Sequence, residues 1–249
     1  LEATFDPTTR AGIDQPSGMD VGSDGNLYVV SALTHEIVVL SPKDWSVVRR
    51  WGRHGSRPGE FNFLRNPVDP QSALGGVAVG LDGTVYVADP VNRRIQAFSA
   101  TGKFLRTWGR FGSSEGQFLE PIDVAVGPDG DVYVVDDERD DIQRFRANGT
   151  YRSTTGEHGK GPGKLNFTSN IDVGADGTLI NADWDNHRLQ AWDAGGTFLW
   201  STGRGQFTTP TDVAVGDGGL LFATDRHRLQ VLDANRTVLE ALRMSETDL

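Results

Sequence analysis

The chain has 249 residues, with 34 acidic and 24 basic side chains, a formal net charge of −10 at pH 7, and no cysteine. The lack of cysteine excludes structural disulfides, thiolate metal sites and cysteine nucleophiles. The acidic balance disfavours nucleic acid as a partner, because a protein that neutralises phosphates would need a local basic patch. No apolar run approaches the roughly 18 residues of a membrane-spanning helix, so we predict no membrane segment in this chain.

One unit recurs five times along the sequence. In each copy the first strand ends at a glycine, and these glycines are Gly22, Gly80, Gly127, Gly174 and Gly216, at spacings of 58, 47, 47 and 42 residues. A period in the forties that is rich in strand-forming residues is typical of a β-propeller with one four-stranded blade per repeat. We therefore predict an all-β propeller that forms a single domain over residues 1–249. Its blades are expected at about 15–63, 72–119, 120–167, 168–207 and 208–242.

The second unit illustrates the predicted strands. β-branched residues alternate in the first two strands, at 77–79 and 85–87, as is usual on a half-buried pleated surface. Asp82-Gly83 between them supplies the positive backbone angles of a tight hairpin. The third and fourth strands are predicted at Arg94–Phe98 and Phe104–Trp108, and a glycine-rich linker follows. Val79, Val126, Val173 and Val215 are expected on the innermost strands. Trp51, Phe98, Trp108, Phe145 and Trp192 are expected to pack between blades.

The second unit also resembles the NHL repeat, which is named for an Asn-His-Leu triplet. The resemblance rests on Gly76-Val-Ala-Val, Asp82-Gly-Thr-Val-Tyr-Val-Ala-Asp, Asn92-Arg-Arg-Ile, Gly102-Lys-Phe-Leu, Trp108-Gly and Gly116-Gln-Phe. The triplet position reads Asn186-His-Arg-Leu in the fourth unit, Arg226-His-Arg-Leu in the fifth and Thr34-His-Glu-Ile in the first. The resemblance covers about residues 15–242. The chain resembles the NHL sensor domains of bacterial receptor kinases and the propellers of tripartite-motif proteins.

The number of blades in the ring is open at this point. The resemblance implies a β-propeller that usually has six blades, whereas five units are recognisable here. The residues after Gly216 and before Gly22 together suffice for one period only. The alternatives are therefore a ring of five blades and a part of a six-bladed ring, and we favour five blades in this chain.

Binding is expected on the face that carries the triplets, which we call the triplet face. In a propeller the second-to-third connections and the linkers between blades share this face, and loops on a rigid scaffold are where binding normally occurs. The five units agree in their turn glycines but diverge at the triplet and its flanks, where positions are free to meet a partner. We predict a protein or small-molecule ligand there. The predicted contact residues are Arg93, Asp137, Trp184, His187, Arg226 and His227.

A metal site is a weaker hypothesis. The second strands end in Asp89, Asp136, Asp183 and Asp225, and four carboxylates at a channel mouth could hold calcium through oxygen ligands. The alternative is that each carboxylate closes its own turn, because three of the four units carry an arginine nearby, at 94, 188 and 228. His35, His187 and His227 share one slot but belong to separate blades, which disfavours a zinc site. We therefore expect no cofactor, with calcium as the alternative.

The function predicted from these residues is non-catalytic binding. In the peptidylglycine-amidating lyase, which is a relative of this repeat, histidines just before the innermost strands hold a zinc. The matching positions here are Ser17, Gly75, Ile122, Asn170 and Thr211, and none is histidine. A metal-dependent lyase or hydrolase acting in the channel is the competing hypothesis. The resemblance to receptor-kinase domains favours an extracytoplasmic bacterial sensor domain.

RNA binding is a further alternative, since some NHL domains of tripartite-motif proteins bind RNA. A possible basic arc lies in equivalent linkers on the triplet face. It consists of Arg53, His54, Arg57, Arg110 and Arg204. The global charge and the small number of lysines count against this reading.

Overall fold

Twenty short β-strands account for nearly all the regular structure in the computed structural model, which describes residues 12–66, 69, 73–203, 205–226 and 228–243. They form five four-stranded sheets in which sequential strands are hydrogen-bonded neighbours. The predicted all-β propeller with five four-stranded blades is confirmed. The chain divides into two compact halves, residues 1–124 and 125–249, and the first strand of the third sheet crosses that division. The single-domain organisation stays a prediction.

The strand bounds follow the repeat closely. The first sheet contains β1 (Pro16–Val21), β2 (Leu27–Ser31), β3 (Glu36–Leu40) and β4 (Val47–Trp51). The second contains β5 (Val77–Val79), β6 (Val85–Asp89), β7 (Arg94–Phe98) and β8 (Phe104–Trp108). The third contains β9 (Pro121–Val126), β10 (Val132–Asp136), β11 (Asp141–Phe145) and β12 (Tyr151–Thr155).

The last two sheets repeat this pattern. The fourth contains β13 (Thr168–Val173), β14 (Leu179–Asp183), β15 (Arg188–Trp192) and β16 (Phe198–Ser201). The fifth contains β17 (Pro210–Val215), β18 (Leu221–Asp225), β19 (Arg228–Leu232) and β20 (Val238–Arg243). Among the residues described, no helix is long and apolar enough to cross a membrane.

The first hairpin of each sheet is closed by local chemistry. In the second sheet Gly83 has a φ of +78°, which favours glycine, and its N–H donates to the Gly80 carbonyl at 2.8 Å. The Asp82 carboxylate accepts from the Thr84 N–H at 2.9 Å. The fifth sheet differs, because a 3-10 turn over Asp217–Gly219 replaces the Asp-Gly hairpin.

Side-chain hydrogen bonds join the first strands of consecutive sheets within each half of the chain, residues 1–124 and 125–249. The Val79 N–H donates to Asp20 Oδ2 at 2.7 Å, and the Val215 N–H donates to Asp172 Oδ2 at 2.7 Å. In a third bond the side chain is the donor, because the Ser17 hydroxyl donates to the Gly75 carbonyl at 2.8 Å. The first strands of the first and second sheets therefore lie side by side, as do those of the fourth and fifth, which is expected of innermost strands. All four predicted valines end the first strand of their sheet.

Aromatic side chains fill the space between neighbouring sheets. The ring of Trp51 in the first sheet lies 5.8 Å from that of Phe98 in the second, which confirms the predicted packing for this pair. A Cβ added at Gly102 would approach the Trp51 ring to 2.8 Å, so the turn that carries Gly102 fits closely against it. Phe98, Phe145 and Trp192 are buried, whereas Trp51 and Trp108 are half-buried.

Candidate binding site

The loop between the second and third strands has a recurrent backbone conformation. The residue just before the third strand is left-handed in the first four sheets, with φ of +56° at His35, +54° at Arg93, +54° at Asp140 and +58° at His187. The fifth loop is shorter. Only two residues lie between Asp225, which ends the second strand, and its cross-strand partner Arg228, which begins the third. His227 falls in that loop and lies outside the described residues, whereas Arg226 is exposed.

A buried aspartate anchors this loop in the second sheet. The Asp89 carboxylate accepts from the Asn62 N–H (2.8 Å), the Asn92 amide (3.0 Å), Arg94 Nε (2.8 Å) and Gln96 Nε2 (3.1 Å). The Asp89 side chain is fully buried, and this burial raises its pKa even though its donors oppose the shift. The loop is therefore held from within its own repeat and by the preceding linker.

The same network recurs in the fourth sheet. Asp183 accepts from the Asn166 N–H (2.9 Å), the Asn186 amide (2.9 Å), Arg188 Nε (2.9 Å) and Gln190 Nε2 (2.9 Å). In the fifth sheet Asp225 pairs with Arg228, and Asp136 of the third sheet is fully buried. The turn-closing role therefore holds at Asp89, Asp183 and Asp225. Calcium binding by the four carboxylates stays a prediction, and the described residues include no group of three or more acidic or histidine side chains placed to hold a metal.

In the first three sheets the left-handed residue is covered by the linker that follows its own sheet. The His35 ring lies 4.7 Å from the His54 ring, and the Arg93 guanidinium lies 5.2 Å from the centre of the Phe111 ring. In the third sheet Asp140 Oδ2 lies 2.6 Å from His158 Nδ1. The three covering residues hold equivalent places, because His54, Phe111 and His158 each form an isolated bridge with a later residue of the same linker.

The linker after the fourth sheet is shorter. Phe61 comes ten positions after Trp51, as Phe118 does after Trp108 and Leu165 after Thr155, but Phe207 comes only five positions after Thr202. Matching the glycines on either side shows that the missing segment is the one that carries the covering residue in the other three linkers. His187 Nδ1 instead contacts the carbonyl oxygen of Thr208.

A pocket of about 590 Å³ lies where this linker is short, and its volume is within the usual range for small-molecule sites. Its wall comes from the linker before the fourth sheet, the triplet loop, the end of β16 and the shortened linker. The lining residues are Lys160, Asp185, Asn186, His187, Arg188, Ser201, Thr202, Gly205, Phe207 and Thr208.

Most polar groups of the wall are already oriented by bonds to neighbouring residues. Arg188 is paired with Asp183, and the Asn186 amide also donates to the Gly159 carbonyl at 2.9 Å. The Thr202 hydroxyl accepts from the Leu189 N–H at 2.9 Å. Lys160 is exposed and makes no ion pair with any described residue. The pocket thus combines a preorganised polar wall with one available cation.

Two exposed aromatic side chains stand beside the pocket. Trp184 and Phe167 are 40% and 48% exposed, and their rings meet edge to face at 6.4 Å. Asn166 and Asp185 connect this pair to the pocket wall, since the Asp185 N–H donates to the Asn166 carbonyl at 3.2 Å. Phe167 has a φ of +50°, a strained value for a bulky residue, and its N–H donates to Asp140 Oδ1 at 2.7 Å.

The predicted contact residues are therefore distributed unevenly. Trp184 and His187 share one loop, of which His187 lines the pocket, whereas Arg93 and Asp137 are half-buried in other loops. Sequence reasoning missed Lys160, Thr202 and Phe207. The signal that could have found them was the spacing of 42 residues between Gly174 and Gly216, the shortest of the four.

The predicted basic arc is partly neutralised. Arg53 donates from two guanidinium nitrogens to Glu60 Oε1, at 3.0 and 2.8 Å. The Gln117 amide oxygen, in the orientation that satisfies its neighbours, accepts from Arg110 at 2.9 Å. Arg204 lies outside the described residues.

His35 is buried, whereas His187 in the same slot of the fourth repeat is exposed. His35 is 8% exposed, and its Nδ1 accepts from the Phe63 N–H at 3.2 Å, which requires an unprotonated nitrogen. Burial and the neighbouring His54 lower the pKa of His35 to about 4.

We expect this histidine to make the fold sensitive to acid. Between about pH 6.5 and pH 4 the unfolded chain binds a proton at His35 that the folded chain does not, so the free energy of unfolding should fall as the pH falls through this window. His35→Asn keeps an acceptor and tolerates the left-handed backbone, and should reduce the loss. Urea unfolding of both proteins at pH 7 and pH 4.5 measures the difference. Parallel losses in the two proteins would contradict the assignment.

No protein-family model matches the chain. Human NHL repeat-containing protein 3 is 32% identical over 107 residues, which cover 41% of this chain and 28% of that protein. Mouse peptidyl-glycine alpha-amidating monooxygenase is 32% identical over 113 residues, which cover 43% of this chain and 11% of that protein. The match thus spans less than a third of either curated relative.

Solved structures match nearly the whole chain. A chain of a nidogen/laminin complex superposes with a TM-score of 0.72 at 16% identity, covering 95% of this chain and 82% of that one. A catalytically inactive virginiamycin B lyase from Staphylococcus aureus gives a TM-score of 0.67 at 16% identity, covering 94% and 71% of the two chains. At such low identity these likenesses establish the fold alone.

Proposed function

Because this chain is an NHL-repeat β-propeller, we propose that it is a non-catalytic binding module whose protein or small-molecule ligand occupies the pocket of the fourth repeat. The observation that carries the proposal is the shortened linker, which lacks the segment that covers the left-handed residue in the first three repeats. It leaves a pocket of about 590 Å³ beside two exposed aromatic side chains.

The residues at the zinc positions of the lyase support a binding role rather than a catalytic one. The Ser17 hydroxyl donates to the carbonyl of Gly75, and Asn170 Oδ1 accepts from the Val213 N–H at 3.1 Å. The Thr211 hydroxyl is 2.8 Å from that of Thr224. These side chains make structural contacts along the first strands.

A sensor domain of a longer protein is one form that such a binding module takes. The resemblance to the sensor domains of bacterial receptor kinases supports this setting. In it, ligand binding at the fourth repeat would be reported to another part of the protein.

Replacing Trp184 by Ala is expected to weaken binding about 30-fold or more, because a central tryptophan contact typically contributes about 2 kcal/mol. The melting temperature should stay nearly unchanged, since the side chain is 40% exposed. A library of small polar and aromatic fragments, screened by saturation-transfer NMR, supplies the probe. Fragments that bind the unmodified protein should lose their signal with this variant.

Trp45→Ala is the matched control. Trp45 is 39% exposed and has a φ of +59°, but it lies in the turn between β3 and β4, away from the triplet loops. Fragment binding should survive this change. If no fragment distinguishes the two variants, the pocket is not the binding site and the proposal fails.

A further inference from the structure

We propose that the ligand of the fourth-repeat pocket is a carbohydrate, with one sugar ring packed against the exposed Trp184 ring, which Phe167 meets edge to face, and its hydroxyls reaching the pocket wall. The inference rests on the proposed function and deepens it, since it names the chemical class of the ligand.

The aromatic pair presents apolar surface to solvent. Phe167 is 48% exposed although its backbone has a φ of +50°, a conformation that costs free energy for a bulky side chain. The bond from the Phe167 N–H to Asp140 fixes this conformation, and Asp140 is itself 9% exposed. A pyranose ring carries C–H groups on its faces and hydroxyls on its rim, so an exposed aromatic ring matches one face of it.

The pocket wall complements the hydroxyl rim. Amide, hydroxyl, imidazole, ammonium and carboxylate groups alternate there, at Asn186, Ser201, His187, Lys160 and Asp185. Since a sugar hydroxyl both donates and accepts, it can satisfy groups of either kind. An apolar ligand would bring no partner for the Ser201 hydroxyl or the Lys160 ammonium, and a polar group left unpaired on burial costs about 1–3 kcal/mol.

The charges of the wall do not favour a strongly anionic or cationic ligand. The Arg188 guanidinium is occupied by Asp183, at 2.9 Å. Lys160 and Asp185 are both exposed and of opposite sign. A neutral, hydroxyl-rich ligand therefore suits the site better than a phosphate or an ammonium compound.

In the part of the chain that the structure describes, the other repeats lack this combination. The residue in the place of Trp184, directly after the end of the second strand, is Ala32, Pro90, Asp137 or Arg226. In the first three repeats the linker also covers the loop. The aromatic residue and the open pocket thus occur together in the fourth repeat, as a site dedicated to one ligand requires.

The test is a panel of neutral tri- and tetrasaccharides of glucose, mannose, galactose and N-acetylglucosamine, titrated calorimetrically. At least one member should bind the unmodified protein. Trp184→Ala should weaken that binding about 30-fold or more, Trp184→Phe should restore part of it, and Trp45→Ala should leave it unchanged. Raising the salt from 50 mM to 500 mM should change it little, because the contacts are not ionic.

Three results would overturn the carbohydrate inference. The first is binding that is equal in the Trp184→Ala protein, and the second is binding only of a sulfated polysaccharide such as heparin, with an affinity that falls steeply with salt. The third is no binding by the panel while fragments still bind at Trp184, which would leave the proposed function standing. If fragments and sugars both fail to bind, the proposed function fails as well.

Discussion

Replacing Asp183 by Ala is expected to lower the free energy of unfolding by about 3–5 kcal/mol, which is the usual effect of removing one partner of a buried ion pair. The carboxylate is fully buried and accepts hydrogen bonds from one backbone N–H and three side chains. Its loss would leave the Arg188 guanidinium, with 11% of its side chain exposed, without a counter-charge. The triplet loop and the preceding linker would lose their shared anchor.

Urea unfolding followed by tryptophan fluorescence measures this change. Asp185→Ala is the control, because Asp185 is exposed two residues away, and its loss should change stability by no more than about 0.5 kcal/mol. Asp183→Asn keeps the shape but not the charge and should fall between the two. Similar stabilities for Asp183→Ala and Asp185→Ala would show that the buried network does not anchor the loop.

Replacing Trp192 by Ala should be comparably destabilising, by about 3–5 kcal/mol, because it removes a large side chain from a packed interior and leaves a cavity. Trp192 is 1% exposed, and its ring contacts that of Phe198 edge to face at 6.3 Å. The expected loss would shift the midpoint of denaturant unfolding without changing its slope, if the unfolded state is unaffected.

Trp45→Ala is again the control variant, here because Trp45 is exposed whereas Trp192 is buried. Both changes delete the same atoms, but Trp45 is 39% exposed, so its removal should cost far less. If the two variants were equally stable, Trp192 would not be packed as the structure describes.

The strands could be predicted from the sequence because their determinants are local. Asp-Gly turns and alternating β-branched residues set the hairpins within a few residues, and the predicted third and fourth strands of the second unit match the structure to the residue. The fifth unit shows the limit. Its Asp217-Gly-Gly segment places Asp217 directly after Gly216, one position earlier than the turn aspartate of the other four units, and folds as a 3-10 turn.

The site was harder to predict because it depends on contacts between distant segments. His35 and His187 occupy the same slot, yet His35 is buried beside His54 while His187 is exposed at a pocket. What differs is the length of the linker that follows. Lys160 reaches the same pocket from the linker before the fourth sheet, and nothing in its local sequence indicates this.

The shortened linker has a consequence for how this architecture can diversify. Each Asp–Arg network lies within one repeat and the linker before it, so the loop that follows can change length while the β-sheet hydrogen bonds persist. The entropy of closing a loop varies slowly with its length, at about 0.6 kcal/mol per doubling. Five residues gained or lost at one such linker can therefore close or open a cleft in a single step, and each repeat can acquire or lose a specificity independently of its neighbours.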